Sequence, residues 1–356
     1  MNRTPRYFSI SCLLVAVVFT CQTAASQEKP DRVLIQNDSK GSRTTLYGHI
    51  EDFSDGVLTI RMRNRNVRKT VPESNIIDVE TPLVESHIKA LQAFRANKFD
   101  QARTLLQTAV KDETRRWVHQ DIRAMLVRCE SRVGDHAAAM LEFAELIRLD
   151  GKTRHFHLIP LVWASRLTKA REQSVARTLL AANEPAMRLM GASVSITDEK
   201  NRPFGEAELE ALGSGGSATI KHLARTQLWR LRLRQGEVRP GELAGWKSRL
   251  KTMPEKLRAG PYYLLGKAHL GRHEYDKASI AFLRLPLVHD EDHRLAARAC
   301  LEAAEALSAA GRKTEAVTLY REVATRFSDT PDAAVANTAL RVPASGGADG
   351  ALKIDE

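Results

Sequence analysis

Apolar positions along this chain change their period after the leader, and again near Pro82. Between residues 31 and 81 they alternate with polar ones, and 33–37, 46–53, 57–62, 67–71 and 76–80 read as five short strands. Ser54-Asp55-Gly56 and Asn64-Arg65-Asn66 supply turns, and Pro72, which cannot donate to a ladder, closes the fourth strand. On the third strand Leu58, Ile60 and Met62 face one way, Thr59, Arg61 and Arg63 the other. Beyond Pro82 the spacing becomes helical through Ile88, Leu91 and Phe94, then Phe99, Ala102, Leu105, Leu106 and Ala109. A second helical pair follows over 122–147, broken at Gly134-Asp135. The same alternation of helix and turn returns over 262–340.

The five strands in so short a stretch resemble the small SH3-like or Sm-like barrels, which implies a barrel-like module. The helical stretches carry a repeat. Gly266 precedes Ala278 by the same interval as Ala304 precedes Ala316, one small residue in each first helix and an alanine in each second. Tyr262, Leu265 and Gly266, then Ala278 and Phe282, and in the next unit Ala303, Ala304, Leu307, Ala316 and Tyr320, resemble the tetratricopeptide repeat family. Ala139 and Phe143 fit the second-helix pattern too. The departures are His269 for the second aromatic, Asp290 for the closing proline, Leu106 after Ala102 and Val127 in a first helix. The resemblance implies a mainly α fold, an α-solenoid of helical hairpins whose concave surface holds segments of other proteins. The run 324–331 leading into 333–340 resembles the repeat ends of exported bacterial proteins of envelope assembly, where a third helix caps the array.

Between 151 and 260 the period blurs. Pro160, Pro185, Pro203 and Pro240 punctuate a series of expected helices, the one beginning at Pro185 resembling a HEAT-type helix; 196–204 and 213–217 are expected loops. The stretch 217–234 is a helix buried on two sides, with Ile220, Leu223, Ala224, Leu228 and Leu231 on one face and Trp229 and Leu233 on another. The formal net charge of +11 is concentrated here, twenty basic side chains against ten acidic. Lys221, Arg225 and Arg232 share a ridge of that helix, either a shallow site for an anion or acidic peptide or a solvated ridge whose long stems cover apolar surface.

Residues 1–26 have the three parts of a secretory signal: Arg3 and Arg6 without an acid, an apolar run over 8–19, and small residues at Ala24, Ala25 and Ser26. The run is shorter than the ~20 residues of a spanning helix, and Phe19-Thr20 before Cys21 is bulky for a lipoprotein signal. Sec-type export to the periplasm or the extracellular space is expected. An uncleaved anchor or a lipidated Cys21 are the alternatives. The mature chain then keeps Cys129 and Cys300, both on apolar helical stripes and expected as core thiols rather than a bridge. Residues 341–356 end in an acidic, glycine-rich tail with a disordered composition.

No motif with catalytic spacing occurs: no Gly-rich phosphate loop, no Gly-x-Ser-x-Gly, no Cys-x-x-Cys, no His-Glu-x-x-His. His155-Phe156-His157 and His289-Asp290-Glu291-Asp292-His293 are metal-like but match no defined ligand spacing. Arg61, Arg63, Arg65, Arg68 and Lys69 form a basic hairpin with no interleaved aromatic residue to stack bases, which argues against nucleic acid. The sequence therefore points to an exported, non-enzymatic scaffold without cofactor or metal, whose partners are proteins or peptides of the bacterial envelope. The alternative is a module that binds anionic cell-wall or surface polymer through the basic middle.

Overall fold

The computed structural model describes residues 29–37, 41–63, 67–236 and 238–341. The leader, the Asn64–Asn66 turn and the C-terminal tail lie outside them. Five strands come first: β1 (Asp31–Gln36), β2 (Arg43–Ser54), β3 (Val57–Met62), β4 (Arg68–Pro72) and β5 (Ile76–Glu80). They form one antiparallel sheet in the order β4-β3-β2-β1-β5. The turn after β2 places Asp55 and Gly56 at positive φ, the two left-handed positions that a tight hairpin requires. Leu58 and Ile60 are fully buried, as the alternation predicts. The expected barrel does not close: β4 and β5 remain the two edges. Pro72 fits on such an edge because nothing beyond it needs its missing N–H. Glu51 pairs with both Arg61 (3.1 Å) and Arg68 (2.8 Å), so the basic hairpin is partly neutralised from its own sheet.

Fourteen α-helices follow among the described residues. The first two pairs are α1 (Glu85–Arg95) with α2 (Phe99–Asp112), and α3 (Arg116–Val133) with α4 (His136–Leu149). Asn97 and Gly134 take positive φ at the turns. Asp135 caps α4 by accepting a hydrogen bond from the Ala138 amide. Then come α5 (Ala170–Leu180), α6 (Pro185–Ser195), α7 (Arg202–Ser214), α8 (Ala218–Gln235), α9 (Pro240–Thr252), α10 (Ala259–Gly271), α11 (Tyr275–Val288), α12 (His293–Ala309), α13 (Lys313–Arg326) and α14 (Pro331–Arg341). Two expected loops are partly helical: α7 takes in residues 202–204 of the first and 213–214 of the second. α11 runs through Pro286. A proline is tolerated in the last turn of α11 because the helix ends two residues later.

Each helix packs on its sequence neighbours. In addition α4, α6, α8, α10, α12 and α14 touch one another in succession and form an inner row. Of the inner helices, α6, α10 and α12 bury most of their residues, nine of eleven in α6, whereas the outer α5, α7 and α9 bury three or four. The small residues do the work that their spacing implies. Gly266 lies directly under the Phe282 ring, and Ala278 and Ala304 are fully buried. Ser217 caps α8, whose Ile220, Leu223 and Leu231 enter one core while Trp229 enters the next, stacked on Trp246 at 4.4 Å.

Residues 151–169 of the basic middle depart from expectation. Between α4 and α5 the chain forms two further turns and one 3-10 turn (Phe156–Leu158), with no other helix and no strand. This strap carries Ile159, Leu161 and Val162 into the core around α3–α8 and ends with Trp163 against the core of α8–α14. The Val162 amide donates to Ser193 Oγ (2.9 Å), which donates in turn to Gln227 (3.0 Å). Pro160 and a run of adjacent apolar residues leave no helical period to follow, and burial on all sides makes an amphipathic pattern unnecessary. Beyond the strap, α3 touches α12: Arg294 lies against Gly134, and Arg132 sits 3.7 Å from Asp329. The array thus turns back on its own beginning.

Candidate functional site

The residue types singled out from the sequence separate in the structure. Arg225 donates to the Gly213 carbonyl at the end of α7 (2.6 Å), and Arg232 pairs with Glu242 of α9 (2.7 Å); of the three, only Lys221 has no partner among the described residues. The ridge therefore staples neighbouring helices. His289 stacks on Tyr262, His293 bonds Asp329 (2.8 Å), and Asp292 caps α12 by accepting from the Leu295 amide, so the acidic histidine run does not converge. No group of three or more potential metal ligands occurs among the described residues. Cys129 and Cys300 are buried free thiols, each pushed up to about 12 first by burial.

His155 and His157 also part. His157 lines a small hollow of about 80 Å³ with Arg128, Trp163 and Lys256. His155, its ring 6.4 Å from that of His157, lines a separate cleft of about 530 Å³ where the sheet, α1, α3 and the strap meet. Phe53 comes from the end of β2, Val79 and Glu80 from β5, and His87 and Leu91 from α1. Trp117, Asp121, Met125 and Arg128 come from one stripe of α3, and Arg154 and His155 from the strap. The helical period explains the stripe: these α3 residues recur at intervals of three or four.

Asp121 organises the polar side of this cleft. Its Oδ1 accepts from Arg154 and from His155 Nε2 (2.8 Å), while its Oδ2 has no partner among the described residues. Burial pushes its carboxyl upward, but the His155 bond and the Arg154 and His155 charges hold it below the usual range. The Arg154 guanidinium lies over the Phe53 ring at 4.2 Å. Three buried polar atoms of residues that line the cleft have no hydrogen-bond partner among the described residues: Trp117 Nε1, Arg154 Nη1 and His87 Nδ1. Trp117 and His87 are 2% and 3% exposed. Burial holds the His87 imidazole below its ordinary range, despite Asp121 and Glu113, so it is neutral at pH 7. An unsatisfied buried donor costs about 1–3 kcal/mol, and these atoms have no surface open to solvent. Arg128 has no ion-pair partner among the described residues and lines this cleft and two neighbouring hollows. The sequence indicated this site only through His155; the orphaned atoms belong to residues up to 67 positions apart, which no local pattern links.

A second feature lies on the outer side of α11. Ile280, Leu287 and Val288 are 63%, 75% and 55% exposed, and their spacing sets them on one face. Between them Arg284 turns back over the Tyr262 ring at 5.1 Å. No protein-family model, curated protein or solved structure matches the chain.

Proposed function

We propose that the chain is an exported, non-enzymatic scaffold of the tetratricopeptide type, which holds other proteins of a bacterial envelope. The observation that carries this reading is the exposed apolar stripe of α11. Three large aliphatic side chains on one face of one helix are more than scattered surface hydrophobes, and such patches mark protein interaction sites. The stacked hairpins support the reading, because the inner row fixes α11 rigidly from behind and leaves its outer face to present. Residues 1–26, with their secretory pattern, support export. No described helix is long and apolar enough to cross a membrane.

The strap changes where a partner would sit. Its apolar residues are packed among the inner helices, so the outer face of α11 is the better-supported docking surface than a concave groove. The anionic-polymer alternative gains nothing from the ridge of α8, two of whose three cations are engaged.

The test is capture from envelope extracts by the exported full chain and by Ile280→Asp combined with Leu287→Lys. We expect a discrete protein partner for the unaltered chain and at least a tenfold loss for the double variant, with no drop in melting temperature. Equal capture by both would refute the assignment.

A further inference from the structure

We infer that the edge of the molecule around the C-terminal end of α6 docks on an anionic lipid surface, which Leu167 and Phe204 enter. This goes beyond the scaffold reading and does not depend on it. The strap buries Ile159, Leu161 and Val162 and then leaves Leu167 95% exposed. Phe204, in the first turn of α7, is 70% exposed. Each stands next to a residue that touches the end of α6. Thr168 and Thr197 are joined through their hydroxyls (2.7 Å). Gly205 packs so closely that a Cβ added there would lie 3.0 Å from the side chains of Ser195 and Ile196.

The same edge is cationic. Lys169, Lys200 and Arg234 are exposed, with no ion pair among the described residues. Arg234 donates to the Ile196 carbonyl (3.1 Å), and part-buried Arg230 to the Ser193 carbonyl and Gln227 (2.8 Å each). These acceptors are uncharged, so both guanidinium charges stand uncancelled. Burial first, then the Arg166 and Arg234 charges, press Arg230 down to about 9, which sets cations of the strap and of α8 close together. Glu172 and Glu199 are taken up by Arg166 and Arg202, which leaves Asp198 and Glu206 against these four cations. Anionic headgroups attract lysine and arginine while apolar side chains enter the boundary beneath them, and the two effects add. A protein interface gathers its apolar residues and keeps lysine from its centre, whereas here lone apolar side chains from two elements stand among cations. A soluble polyanion would answer the charge but leave Leu167 and Phe204 in water.

The exported full chain would be co-sedimented with vesicles of phosphatidylcholine alone and with vesicles containing about one-third phosphatidylglycerol. We expect at least tenfold stronger binding to the anionic vesicles, reduced at least fivefold by high salt. Leu167→Ser combined with Phe204→Ser should weaken that binding at least fivefold at an unchanged melting temperature, because both side chains lie mostly in solvent. Lys169→Gln combined with Lys200→Gln should weaken it about threefold, a second arm that touches no packed residue. Polyphosphate, as a soluble polyanion, should bind more weakly than the anionic vesicles. Absence of vesicle binding, equal binding to neutral vesicles, binding untouched by loss of the apolar pair or of the lysine pair, or polyphosphate bound as tightly as the vesicles would overturn the inference.

Discussion

Gly260 has no room for a side chain. A Cβ built there would stand 2.0 Å from the Trp163 indole, well inside van der Waals contact. Gly260→Ala should therefore lower stability by about 2–3 kcal/mol through overpacking, read as a drop in melting temperature. Ala316→Trp should do the same at the α12–α13 crossing, where Ala316 is buried. The sequence singles out Ala316 and Gly266 through their place in a repeat, but says nothing about Gly260, whose neighbour comes from a non-repeating strap. His157 adds a pH dependence. Burial first, then the Lys256 and Arg128 charges, press its pKa from 6.5 down to about 4. The unfolded chain thus takes up a proton that the folded chain refuses. The penalty is absent above pH 6.5 and grows as the pH falls toward 4, to at most about 3 kcal/mol. Thermal melts of the unaltered chain and of His157→Gln across that range should converge toward the acid end. A constant gap would show that His157 does not carry the effect.

At the scale of elements, the strands and the hairpins at both ends follow from the period of their apolar residues, and their turns from Gly134, Asp55 and Gly56. The two faces expected for the helix beginning near Ser217 enter two different cores. The strap was not legible, because Pro160 and its uninterrupted apolar neighbours carry neither period. Its contribution is nevertheless large. Trp163 packs on both cores, so Trp163→Ala should remove about 2–4 kcal/mol, and the two halves of the array should then melt in separate steps. A single cooperative transition at a nearly unchanged temperature would count against the strap as the joint. The sheet gives the reverse lesson. Strand spacing suited a closed barrel, yet closure depends on pairing between the first and last edges, and here β4 and β5 stay apart. The cleft beside β5 depends on β5 being that edge and on α3 packing against β2, neither of which is written in any one segment.

Across the whole molecule, a contact that joins Arg294 to Arg132 spans 162 positions, far outside any repeat period. It brings α12 back against α3, and the docking surface proposed for the chain lies on the outer face of α11. That arrangement is the physical core of the functional account: a rigid interior with one apolar stripe left uncovered. The most direct test is to place a photo-cross-linking residue at Leu287 of the exported full chain, and at exposed Thr318 of α13 as a control. The account predicts one discrete protein adduct from position 287 that disappears when Ile280→Asp is added, and none from position 318. The same adducts from both positions, or no adduct from 287 in the envelope of the producing cell, would contradict it.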